Sequence, residues 1–150
     1  MSGVTDHLEA RGVDFEVVPH PPAQTAEAEA HLLGVDPSNV AKTVVLNLRT
    51  GHAFAVVPAD CSVDIEAVKT ALNTSHVALS HEDDIARDYP EFELGAVPPM
   101  GDLARTPLVV DPSVIEHDEI IFAAGSQTES VRMSTKDLFD RAMMKVHPIT

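Results

Sequence analysis

The chain has 150 residues and a net charge of −14, with 24 Asp and Glu against 10 Lys and Arg, which fits one domain (1–150) able to bury about 68–70% of its unfolded surface. That charge argues against broad nucleic-acid binding, which rests on Lys and Arg neutralising phosphates, but it leaves room for a grip on one nucleic-acid end through a few placed contacts. The lone Cys61 rules out an intrachain disulfide and fits a reducing compartment. No apolar run approaches the ~20 residues of a membrane span, and the polar start "MSGVTDHLEARG" is unlike a signal peptide, so a soluble cytoplasmic protein with no membrane or DNA partner is expected.

Residues 4–11 read as a short helix ending at Gly12, and "DFEVVP" (14–19) as a strand broken by the prolines that follow. "TAEAEAHLLG" (25–34) reads as a helix capped by Thr25, with Glu27 and Glu29 at its positive end and Gly34 as its stop. In "KTVVLNLRTGHAFAVVP" (42–58), two apolar runs flank a turn, which gives a β-hairpin covered on both faces. Asp64 caps a helix over 63–72, and 76–80 reads as a short strand. A helix follows over 80–89, with Ser80 as cap. "ELGAVPPMGD" (93–102) is a Gly/Pro loop, and 107–111, 119–125 and 130–134 read as strands. A helix over 134–144, capped by Ser134, closes the chain. Many short strands among helices point to an α+β fold, with a mixed, largely antiparallel sheet curled or closed into a barrel and flanked by helices.

Lys42 is the first lysine in the chain and stands at the head of an apolar strand. On spacing alone it reads as a snorkelling side chain; the alternative is a cation held at a cleft by a rigid mount, where it meets a phosphate or a carbonyl oxygen. The loop "GAVPPMG" is either a turn or a rigid ligand wall, since its prolines fix φ and its glycines allow close approach. Pro98 and Pro99 have no N–H, so oxyanion donors there are limited to Gly95, Ala96, Val97, Met100 and Gly101. Eight histidines include no H-E-x-x-H pair and no zinc spacing, so no metal is expected. His20 after its strand lines a pocket or lies exposed in its loop, and Asp111 turns toward a site or caps the "PSVIE" turn. Cys61 precedes a helix, yet no histidine stands near it in sequence. Phosphate-loop and G-x-S-x-G patterns are absent from the sequence.

The ordered set of segments resembles the YbaK/prolyl-tRNA editing-domain superfamily of aminoacyl-tRNA deacylases along nearly the whole chain. The likeness runs from "FEVVPHPPAQTAEAEAHLLGVDPSNVAKTVVL" through "FAVVPADCSVDIEAVKTAL" and "LGAVPPMG" to "PLVVDPSV", "EIIFAAGS" and "VRMSTKDL". It implies a free-standing enzyme that removes a wrong amino acid, such as Cys or Ala on a proline tRNA, from the tRNA 3′ end without a cofactor. The acceptor end of an aminoacyl-tRNA is the implied partner, with an aminoacyl-tRNA synthetase as a further one. The family lysine falls on Lys42 and the family G-x-x-x-P loop on Gly95 to Pro99, with Gly101 closing it; these are the implied catalytic positions. Implied substrate contacts are His20, Thr43, Ala96, Val97, Pro98, Met100, Asp111, Gly125 and Ser126. Gln127 and Thr128 depart from the family, several members of which place a basic or imidazole residue there. The alternatives are a non-catalytic module that binds tRNA or a synthetase, and a small amino-acid esterase.

Overall fold

The computed structural model describes residues 3–139 and 144–150. The two apolar runs pair as expected: β2 (Ala41–Asn47) and β3 (His52–Pro58) are antiparallel, with Lys42 opposite Val57 and Asn47 opposite His52. Gly51 supplies the left-handed residue of their turn at φ +77°. β5 (Leu108–Val110) adds parallel to β3, and β8 (Met144–Val146) adds parallel to β5. β4 (Ala78–Leu79) meets only the far end of β2, at Leu46 and Asn47. The result is a five-stranded sheet ordered β4-β2-β3-β5-β8.

A second, three-stranded antiparallel sheet is ordered β1 (Phe15–Pro19), β7 (Glu129–Ser134), β6 (Glu119–Ser126). A parallel bridge between Val40 and Ile121 joins the sheets. The main core lies between them: Val45, Phe54, Val56 and Val110 face Ile120, Phe122, Val131 and Met133, with Leu8 of α1 (Gly3–Arg11) sealing one side. The opposite face of the larger sheet packs Leu46, Ala55, Val57 and Val109 against Val68 of α3 (Ile65–Leu72). Apolar residues on both faces of the hairpin are thus buried on both sides. This is an α+β fold with mixed sheets and flanking helices, as expected from the sequence.

Side-chain oxygens set the helix starts. Thr25 accepts from the Ala28 N–H at 3.1 Å to open α2 (Ala26–Leu33), and Asp64 accepts from the Ala67 N–H at 3.2 Å to open α3. Ser80 does not cap α4 (Glu82–Asp88): its hydroxyl donates instead to Asn47 Oδ1 at 2.7 Å, and His81 holds the cap position without a side-chain bond. Within the loop expected over 93–102, residues from Gly101 form α5 (Gly101–Ala104), and Asp111 opens another short helix, α6 (Pro112–Ile115). The last helix, α7 (Thr135–Phe139), begins where expected. Residues 140–143 of that expected helix lie outside the described residues, and Met144 belongs to β8 instead, because the edge of β5 offers it strand partners.

Candidate functional site

One edge of β2 is paired with β3 throughout, while on its other edge strand pairing among the described residues is limited to β4 at Leu46 and Asn47 and to a bridge with β6 at Val40, just before the strand begins. Residues 41–45 therefore border a gap where the two sheets diverge. A cleft of about 620 Å³ fills that gap. Thr25, Ala26 and Glu29 of α2 wall one side, Glu82 and Ile85 of α4 another, and Leu94, Gly95 and Val97 close it from the loop, with Ala123 and Gln127.

Lys42 and Thr43 both line this cleft. The Lys42 ammonium donates to the Cys61 carbonyl at 2.5 Å, which pins the head of an otherwise flexible side chain. Among the described residues it makes no ion pair, although the chain carries 24 carboxylate side chains. An ammonium has three donors, so two remain for a ligand. Thr43 Oγ1 is buried and, among the described residues, has no hydrogen-bond partner, a costly state for a polar atom. Nearby Cys61 is no ready nucleophile. Burial pushes its thiol pKa up, and the adjacent Asp60 carboxylate, which accepts from the thiol at 3.6 Å, adds to the shift.

The loop reaches the cleft through its backbone. Gly95 sits at φ +76°, and a Cβ there would lie 2.0 Å from the Gln24 carbonyl oxygen. Only glycine lets the loop close against the entry to α2. Behind it Ala96, Pro98, Pro99, Met100 and Gly101 are buried and do not line the cleft. Gly101 lies against the Thr106 carbonyl, which a Cβ would approach to 2.5 Å. Gly125, at φ +83° in the irregular stretch of β6, donates to the Ala96 carbonyl at 3.0 Å and accepts from the Glu93 N–H at 2.9 Å. Gly125 thus holds the loop from outside, and it borders with Ser126 and Phe92 a separate depression. Asp111 does not line the cleft: it accepts from the Ser113 and Ile149 N–H groups at 3.1 and 2.8 Å.

Gln127 is a cleft residue that the sequence reading treated only as a departure. Its amide donates to the Leu94 carbonyl at 2.9 Å, and its backbone N–H donates to Glu93 at 2.7 Å. Glu29 is another. The sequence offered it as a dipole-favoured acid near a helix start, yet Ala26, Glu29 and Ala30 share the buried face of α2. An acid at the i+3 place of an apolar face was the signal that finds it. Glu29 as a residue is 3% exposed, its carboxylate accepts from Ser130, itself fully buried, and His20 bonds the same Ser130 hydroxyl at 2.8 Å. Burial raises the Glu29 pKa above the usual carboxylate range, against the opposing pull of Ser130 and His20. His20 thus adjoins the cleft through two intervening side chains. Among the described residues, no group of three His, Cys, Asp or Glu side chains is placed to hold a metal ion.

The model of the aminoacyl-tRNA editing domain family matches residues 20–140. The chain belongs to that family. Within this editing domain, 98 residues are 33% identical to a proline–tRNA ligase of Fervidobacterium nodosum, covering 65% of this chain and 17% of the ligase. A proline–tRNA ligase of Thermotoga neapolitana is 27% identical over 87 residues, 58% of this chain and 15% of that enzyme. The editing domain therefore spans about a sixth of the length of these relatives. A solved protein described as a candidate trans-editing enzyme for prolyl-tRNA synthetase superposes with TM-score 0.84 at 20% identity, over 100% of this chain and 98% of that one. A hypothetical protein of known structure gives TM-score 0.85 at 23% identity, over 96% and 97%. Both likenesses concern the fold. Among the described residues, no helix is long and apolar enough to cross a membrane.

Proposed function

We propose that this editing domain acts in trans as a deacylase, hydrolysing the ester between a wrong amino acid and the 3′ end of a tRNA. The observation that carries the reading is Lys42, which lines the cleft opposite the Gly95 loop with its ammonium held on the Cys61 carbonyl and, among the described residues, no carboxylate partner. Such a cation suits the terminal phosphate or the oxyanion that forms when water attacks the ester carbonyl. Gly95 and Val97 bound one side of this space, where the amino-acid side chain would sit. A cleft of this volume fits one aminoacyl-adenosine end rather than a duplex. Alanine or cysteine on a proline tRNA is the substrate class, in keeping with the relationship to proline–tRNA ligases.

A panel of tRNAs mischarged with small amino acids, assayed with wild type and Lys42→Ala, tests this. Wild type is expected to release at least one amino acid, and Lys42→Ala to lose roughly 10²–10³ in rate, the cost of removing one oxyanion donor. No turnover on any substrate, or full activity in Lys42→Ala, overturns it. A second reading has its own observation: the Gln127 amide is spent on Leu94, so that turn presents no acid or base to the cleft. Tight binding of an aminoacyl-tRNA whose ester survives would identify a non-catalytic module instead.

A further inference from the structure

Resting on that deacylase reading, we infer that Glu29 is the general base of the cleft, and that Ser130 and His20 form a proton relay joining it to the surface. The hydrogen bonds themselves fix the protons. His20 Nδ1 lies 2.7 Å from the Pro21 carbonyl oxygen. A carbonyl only accepts, so Nδ1 carries a hydrogen. His20 Nε2 lies 2.8 Å from Ser130 Oγ, and Ser130 Oγ bonds Glu29 Oε2. The Ser130 hydroxyl has one hydrogen to give. Two arrangements then satisfy every bond. In one, imidazolium Nε2–H donates to Ser130 and Ser130 donates to a Glu29 carboxylate. In the other, a protonated Glu29 donates to Ser130 and Ser130 donates to a neutral imidazole. They differ by two concerted proton shifts through a single hydroxyl.

The relay crosses the wall of the cleft. Glu29 lines the cleft, Ser130 is fully buried on β7, and His20 is half-buried at the end of β1. Among the described residues, Glu29 Oε1 has no hydrogen bond, which leaves it for a water in the cleft. The other charged side chains on the cleft wall are Lys42 from β2 and Glu82 from α4, and neither pairs with Glu29 among the described residues. In the ionised arrangement, Glu29 takes a proton from water as the water oxygen bonds to the ester carbonyl carbon. The tetrahedral intermediate then breaks its carbon–oxygen bond to the ribose. The leaving oxygen takes the proton from Glu29, and the new carboxylic acid gives its own proton to solvent. Glu29 touches the reacting water, while Ser130 and His20 are positioning residues that keep it ionised. A carboxyl whose pKa lies above the usual range suits a base working near neutrality.

The experiment is the pH profile of kcat and KM, on whichever mischarged tRNA the wild type deacylates, for wild type, Glu29→Gln, Ser130→Ala and His20→Gln. Glu29→Gln is expected to lower kcat by roughly 10²–10⁴-fold with KM little changed. Ser130→Ala and His20→Gln should remain active but shift the acid limb of kcat to higher pH, because each removes a group that favours the carboxylate. A purely structural role would lower the rate evenly across pH. A ¹³C NMR titration of the Glu29 carboxyl gives a readout free of turnover: its midpoint is expected to move to higher pH in both Ser130→Ala and His20→Gln. An active wild type with Glu29→Gln within about threefold of it, or an unmoved acid limb, overturns the base role alone. A Glu29 midpoint that moves in neither variant overturns the relay. A wild type that deacylates nothing overturns the deacylase reading and the base role together.

Discussion

Glu29 costs the fold something at the pH where the cleft would work. Burial lifts its pKa in the folded protein above the unfolded value of 4.5. The folded state therefore holds this proton more tightly, so the stabilisation is full below the unfolded pKa and is lost as pH rises through the folded one. Glu29→Gln keeps an acceptor for Ser130 and abolishes that loss. It should melt at a higher temperature than wild type above neutrality, with the gain shrinking toward about pH 4. Thermal melts across that range check this. The two key side chains differed in how readable they were. Lys42 stood out because a cation on an apolar strand is rare in an acidic chain. Glu29 hid because acids near helix starts are ordinary, and its partners lie at a sequence distance of 101 for Ser130 and beyond a proline turn for His20.

Elements with local signals were legible. The hairpin, the Thr25 and Asp64 caps and the Gly34 stop depend on neighbours within a few residues, and each forms where the pattern puts it. β8 was not, because three residues carry no period and gain strand geometry only from β5. The same long-range logic governs Asp111. It is buried and joins the start of α6 to the closing segment, accepting from Ser113 and Ile149, while Ile149 in turn accepts from the Asp64 N–H at 2.6 Å. Burial would raise its pKa, but these hydrogen bonds outweigh burial and hold it below the ordinary value. Its stabilisation is thus present above the unfolded pKa and lost as pH falls through the folded one. Asp111→Ala leaves the Ile149 N–H unpaired and should cost about 1–3 kcal/mol in urea unfolding at neutral pH, with a smaller deficit in acid. An unchanged midpoint would deny it that stapling role.

At the level of the molecule, the charge of −14 and the single lysine lining the cleft would together set how the tRNA end of the proposed function is held. A single-stranded end neutralised at about one to three phosphates gives a slope of log K against log salt no steeper than about −2. Binding titrations between low and physiological salt measure it, and a slope several-fold steeper would point to a basic surface elsewhere. The divergence of the two sheets, which creates the cleft, was the part of the architecture least visible in sequence: it depends on β4 being only two residues long and on one bridge at Val40.

That short β4 has a further consequence. An unpaired strand edge invites the edge of another sheet, and proteins normally blunt such edges with charge or cover. The Val45 carbonyl accepts from the Ser80 N–H at 3.0 Å, and residues 41–44 have no ladder partner among the described residues on that edge, which lies in a notch between α2, α4 and the Gly95 loop. The flanking elements stand between that edge and a neighbouring sheet, while the cleft of about 620 Å³ that they enclose is the space the nucleotide end of the proposed function would occupy. Resistance to self-association and access for the ligand then come from one dimension, the width of the notch, so that a change which widens it for a larger amino acid would also expose the strand to its own kind.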